Sequence, residues 1–182
     1  MQPLPSSLHF FLQDHDATIA LGAFLADVML AEQFFPALLL DGELGAGKTT
    51  FVRGLVHALP GGDQAEVASP SFNYLNNYPT TPETFHFDFY RLRDFGPDDD
   101  LLDALHDPSK LVIVEWAAYC PSRHLPTDHL AMRFTPVAGG RRVDVVFKGK
   151  NSEGIMESFD KTLPSNFLYH DAMQGAFPSC GS

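Results

Sequence analysis

The chain has 182 residues, with 12 Lys and Arg against 23 Asp and Glu, and so a formal net charge of −11. Such a field repels polyanions, and nucleic-acid binders usually show a basic face, so tight direct binding of nucleic acid by this chain alone is disfavoured. No apolar stretch reaches membrane-spanning length, no signal-peptide pattern is present, and Cys120 and Cys180 make no C-x-x-C pair; the expectation is a soluble cytoplasmic α/β domain with a modest appendage and no membrane contact.

In chain order, Leu8 to Leu12 reads as a first strand. Asp14 or Asp16 can then cap a helix whose apolar stripe includes Leu21, Phe24, Leu25 and Val28. Pro36 to Leu40 is a short apolar run, as a buried parallel strand would be. Directly after it comes Gly42-Glu43-Leu44-Gly45-Ala46-Gly47-Lys48-Thr49, a complete match to G-x-x-x-x-G-K-[ST]. Each fixed position of that pattern has its own task. The glycines let the backbone bend so that successive N–H groups converge on phosphate oxygens. Lys48 offers a compact positive charge to the outer phosphates, and Thr49 offers a hydroxyl to magnesium.

A chance match in a chain of this length is below about one in a hundred at average glycine usage. Context strengthens the reading, because Val52, Leu55, Val56 and Leu59 continue at i, i+3, i+4 and i+7, and Pro60-Gly61-Gly62 stops the helix. That helix adds the partial positive charge of its N-terminus to the phosphate cradle.

Ser69-Pro70-Ser71-Phe72 opens a segment running to Tyr78, and Thr84 to Tyr90 returns after the turn residues 79–82. Residues 72–90 therefore read as a β-hairpin with a longer loop. Gly96-Pro97 and three aspartates lead into a short helix near Leu101 to Leu105. Leu111 to Val114 has the continuous apolar character of a strand buried on both faces. His129 to Thr135 and Arg142 to Phe147 are further strands around the Gly139-Gly140 turn. From about Gly149 onward the periodicity fades, leaving either a flexible tail or an extension docked on the domain.

A phosphate loop needs an acidic partner for magnesium. Glu115 is the leading candidate, because the strand Leu111 to Val114 delivers it to the sheet's C-terminal edge, where open α/β folds bind ligands. The plain alternative is a first solvated residue after a strand. Asp88 is the second candidate: Phe85, Phe87 and Phe89 alternate with His86, Asp88 and Tyr90, so a rigid strand carries Asp88 opposite an aromatic core face. There it can hold the metal's waters or orient an attacking water, or simply face solvent. Arg91 and Arg93 suit a phosphate clamp or neutralise the nearby aspartates. Trp116 suits base stacking, a partner surface or packing. GTPase signatures N-K-x-D and D-x-x-G do not occur, and no arginine-rich lid of a small-molecule kinase is visible.

These blocks, in this order, resemble the TsaE family (older name YjeE) of bacterial ATPases for tRNA threonylcarbamoyladenosine synthesis. Residues 41–50 look like its Walker A loop, and Ser69-Pro70-Ser71-Phe72 like its Ser-Pro-Thr-Phe/Tyr switch. His86-Phe87-Asp88-Phe89-Tyr90-Arg91 looks like its His-Phe-Asp-Leu-Tyr-Arg block, and Glu115-Trp116 like its Glu-Trp pair. Ser71 stands where the family prefers Thr, Asn73-Tyr74 where it has Thr-Leu, and Ala117-Ala118 where Pro-Glu or Pro-Gln is common.

The resemblance spans about residues 8 to 147. It implies a P-loop NTPase-like mixed sheet flanked by helices, with a β-hairpin after the P-loop helix, over residues 1–148, leaving 149–182 as extension or tail. It also implies a magnesium-dependent ATPase of low intrinsic activity. Such an enzyme would act with TsaD-like and TsaB-like partners, would meet tRNA only indirectly, and would use ATP hydrolysis to reset the complex. Residues 43–50 (Glu43, Leu44, Gly45, Ala46, Gly47, Lys48, Thr49, Thr50) would hold ATP, joined by Thr18, Arg141 and Ser71 as nucleotide contacts. Lys48, Asp88 and Glu115 would be catalytic, and Thr49, Glu115 and Asp88 would bind Mg2+. A phosphotransferase acting on a small metabolite and a binding module controlled by nucleotide occupancy stay open as alternatives.

Overall fold

Strand β2 (Ala37–Gly42), which feeds the glycine loop, lies in the middle of a seven-stranded sheet. Across the sheet the order is β1 (Ser7–Leu12), β7 (Gly140–Lys148), β6 (His129–Val137), β2, β5 (Lys110–Glu115), β4 (Glu83–Asp88) and β3 (Leu75–Tyr78). The four inner strands β6, β2, β5 and β4 run parallel, while β7, β1 and β3 pair antiparallel at the edges. This computed structural model describes residues 7–71, 73–90, 93, 96, 99–164 and 167. Phe72, Arg91, Cys180 and the tail beyond residue 167 lie outside that set.

The mixed sheet with flanking helices and the hairpin after the P-loop helix is the architecture expected. Side-chain alternation explains its layers. Leu38 and Leu40 of β2 pack beneath α1 (His15–Glu32) and α2 (Lys48–Ala58), whereas Ala37 and Leu39 face α3 (Asp99–His106) and the second core. Asp14 caps α1, its carboxylate accepting the Ala17 N–H at 2.8 Å. The helix ends at Gln33 in a left-handed conformation whose N–H reaches back to the last turn.

Two details differ from the pattern read along the sequence. Strand β4 stops at Asp88, with Phe89 and Tyr90 in a turn, and its His86/Asp88 face is as buried as its phenylalanine face. Alternation alone cannot tell a solvated face from one covered by a helix. The second difference is α4 (Lys150–Thr162), a helix where periodicity had faded. Its Ile155, Met156 and Phe159 join the core shared by α1 and β7, and the Phe159 ring meets Phe10, Phe24 and Phe147 edge-on. No helix among the described residues is long and apolar enough to cross a membrane.

Candidate functional site

Parallel pairing sets three side chains side by side at the C-terminal edge of the sheet. Glu115 ends β5, opposite Leu40 of β2 on one side and Asp88 of β4 on the other. The glycine loop leaves β2 at this level and turns into α2. Gly42, Gly45 and Gly47 hold φ of 145°, 79° and 108° there, values costly for other residues. Gly47 is the N-cap of α2 and makes no side-chain cap bond, so the first-turn amides point their partial positive charge outward.

A cleft of about 710 Å³ opens over this edge. It is lined by Leu44, Gly45 and Gly47 to Thr50 from the loop, by Ser69 and Ser71, by Asp88, Tyr90 and Arg93, and by Glu115 and Trp116. The floor is a connected polar cluster. The Thr49 hydroxyl donates to Glu115 Oε1 at 2.9 Å, His86 Nε2 lies 3.1 Å from the same oxygen, and Lys48 Nζ stands 4.0 Å from Oε2. The Lys48 ammonium donates to the carbonyls of Gly42 and Glu43 at 2.8 and 3.2 Å, and the Trp116 ring covers it at 4.4 Å. Trp116 itself has a φ of 58°, uncommon for a bulky residue, and packs with Tyr90 and Tyr119 at the cleft mouth.

The charges divide in a telling way. Burial pushes the Asp88 carboxyl above its ordinary value, only partly offset by the Tyr90 N–H that it accepts at 2.9 Å. Burial also pushes Glu115 up, but hydrogen bonds from His86 and Thr49 and the charge of Lys48 outweigh it, holding that carboxyl low and ionised. Burial draws the Lys48 ammonium below its ordinary value, against the pull of Glu115, Asp88 and Asp41. Two buried carboxylates beside a hydroxyl and an amide cradle form a donor set suited to a hard divalent cation bound together with phosphate. Among the described residues no three His, Cys, Asp or Glu side chains converge as a metal site of their own. A cation here would complete its shell from phosphate and water, as magnesium commonly does.

The expected residues are not equally placed. Leu44, Gly45, Gly47, Lys48, Thr49, Thr50, Ser71, Asp88 and Glu115 meet around the cleft. Ala46 is buried beneath the loop, and Glu43 is exposed, with its carbonyl accepting from Lys48 and from the Ala46 N–H. Arg141 reaches the loop from its other side: a Cβ on Gly47 would fall 1.8 Å from Arg141 Nη1. Thr18 is fully buried near the start of α1, its hydroxyl donating to the Asp14 carbonyl at 2.9 Å, and does not line the cleft. Two contributors had no role assigned from sequence, His86 and Tyr78. Strand alternation already puts His86 on the Asp88 face, the signal by which it can be found; Tyr78 needs the hairpin pairing.

A profile of the family described as "Threonylcarbamoyl adenosine biosynthesis protein TsaE" matches residues 12–143. The chain is 30% identical to the tRNA threonylcarbamoyladenosine biosynthesis protein TsaE of Haemophilus influenzae, over 84% of this chain and 98% of that protein. With the same-named protein of Aquifex aeolicus it shares 36% over 58% of this chain and 73% of the relative. Among solved structures, Bacillus subtilis YdiB superposes with a TM-score of 0.66 at 21% identity, covering 88% of this chain and 98% of that one; this likeness concerns the fold.

Proposed function

The chain belongs to the TsaE family, and from that membership we propose that it is a magnesium-dependent ATPase serving tRNA threonylcarbamoyladenosine synthesis in the cytoplasm. The observation that carries this reading is the junction of the glycine loop with Glu115, where Thr49 and Lys48 meet a buried, ionised carboxylate inside an open cleft. Loop amides from residue 43 to residue 50 would receive the phosphates. Lys48 would exchange its two loop carbonyls for phosphate oxygens. Thr49 and Glu115, with Asp88 beside them, would hold the metal, which when bound offsets phosphate charge. Asp88, which accepts the Tyr90 N–H, would orient the water that attacks.

Chemistry of this kind depends on prearranged charge, so losing one group costs about 10²–10³ in rate. TsaD-like and TsaB-like proteins are the proposed partners. A net charge of −11 supports leaving the tRNA to them.

Calorimetric titration with ATP and magnesium tests the binding step. Lys48→Ala removes charged hydrogen bonds of about 1.5–3 kcal/mol, so affinity should fall about 10–100-fold. Parental affinity in that variant would discard the assignment. Phosphate release with and without the partner proteins tests the rest, and stimulation by them is the expected result.

A further inference from the structure

The imidazole of His86 has no exposed surface, yet both its nitrogens are engaged. Nε2 lies 3.1 Å from Glu115 Oε1, and Nδ1 lies 3.3 Å from the Tyr78 hydroxyl. That hydroxyl has one hydrogen to share between Nδ1 and the Ala68 carbonyl, which also lies 3.3 Å away, just ahead of the segment that brings Ser69 and Ser71 to the cleft. An ionised carboxylate only accepts, so Nε2 carries the hydrogen toward Glu115. A leucine would fill this strand position without the roughly 1–3 kcal/mol at risk when a buried polar group loses its partner.

We propose that His86 is a positioning residue: it pins one oxygen of Glu115 so that the other faces Lys48 and the cleft, and Tyr78 ties that setting to the Ser69–Ser71 segment. The geometry gives Glu115 Oε1 two holders, Thr49 and His86. Thr49 is needed elsewhere whenever its hydroxyl turns to another ligand, and His86 then keeps the carboxylate oriented. The inference rests on the ATPase reading, since a fixed Glu115 matters only where it has something to hold.

Two polar substitutions of similar size separate this role from simple packing. In His86→Gln the side-chain amide nitrogen falls near the place of Nε2 and can still donate to Glu115. In His86→Asn it falls near Nδ1 and cannot reach. Residues behind a metal ligand commonly tune affinity and activity about 10–100-fold. His86→Asn should therefore lose that much turnover and a similar share of the gain in ATP affinity that magnesium confers, read by calorimetry with magnesium and with chelator. Chelator-bound affinity should stay within about twofold of the parent, because the loop amides and Lys48 are untouched. His86→Gln should retain most of both.

Equal behaviour of the two variants, either parental or equally impaired, overturns the proposal. Tyr78→Phe, which keeps the ring, provides a gentler probe should the histidine variants fail to fold. It should weaken the magnesium effect without lowering chelator-bound affinity, and a fully parental magnesium response would overturn the link through Tyr78. A parental protein that binds no nucleotide at all would instead overturn the ATPase reading, a result visible before any variant is made.

Discussion

Asp88 illustrates how a buried carboxylate burdens the molecule that carries it. It is 2% exposed, its charge sits beside Glu115, and burial raises its pKa while the Tyr90 amide only partly compensates. The folded state therefore holds this proton more tightly than the unfolded chain does, and parental stability falls as pH rises through the folded pKa. Asp88→Asn keeps an oxygen for the Tyr90 N–H and removes the charge. The unliganded variant should melt at or above the parental temperature at pH 8, with the difference shrinking as acid protonates Asp88, and should lose about 10²-fold in ATP turnover. Thermal melts from about pH 4, near the unfolded Asp pKa, to pH 8 decide this; a variant melting below the parent at pH 8 contradicts the assigned cost.

At the scale of elements, α1 and α2 touch backbone to backbone. A Cβ on Gly22 would stand 2.2 Å from the Phe51 carbonyl oxygen, and one on Gly54 would stand 2.1 Å from that of Ile19. Neither obstacle is a movable side chain. Alanine is normally the better helix former by about 1 kcal/mol. Here Gly54→Ala should instead destabilise by about 1–3 kcal/mol, since the helices must separate. Because α2 begins with Lys48 and Thr49, the same variant should bind ATP more weakly. Gly154 in α4 is the counter-case, with nothing within 4 Å of its Cβ position. Gly154→Ala should stabilise by about 0.5–1 kcal/mol and leave binding unchanged. Melting curves of the pair measure both signs, and a Gly54→Ala variant as stable as the parent or more so would refute the close-approach argument.

For the whole molecule, α4 closes the core rather than hanging from it. Ile155 is fully buried, and Phe159 anchors a cluster with Phe10, Phe24 and Phe147 drawn from three other elements. Its N-terminal end is tied to the sheet's opposite edge, where the Asn151 amide donates to Asp128 at 2.8 Å. Phe159→Ala should cost about 3–5 kcal/mol, lowering the melting temperature by about 10 °C. ATP affinity measured well below that temperature should not change, because the cleft is at the other end of the strands. A variant melting like the parent would show that α4 contributes little to the core.

Much of this molecule is written in local order. The glycine loop, the apolar runs before and after it, and the hairpin turn are set by neighbours in sequence: φ angles that only glycine takes cheaply, strand alternation and helix stops. Lys48, Thr49, Glu115 and Asp88 stood out for that reason. Three things waited for the tertiary structure. Burial of both faces of β4 depends on which helices cover the sheet. The packing of α4 depends on a hydrophobic site built from Phe10, Phe24 and Phe147, while its own Ser, Asn and Gly mixture masks a short apolar stripe. The bond from His86 to Glu115 depends on the parallel register of β4 with β5, a pairing between residues 29 positions apart that no local pattern encodes.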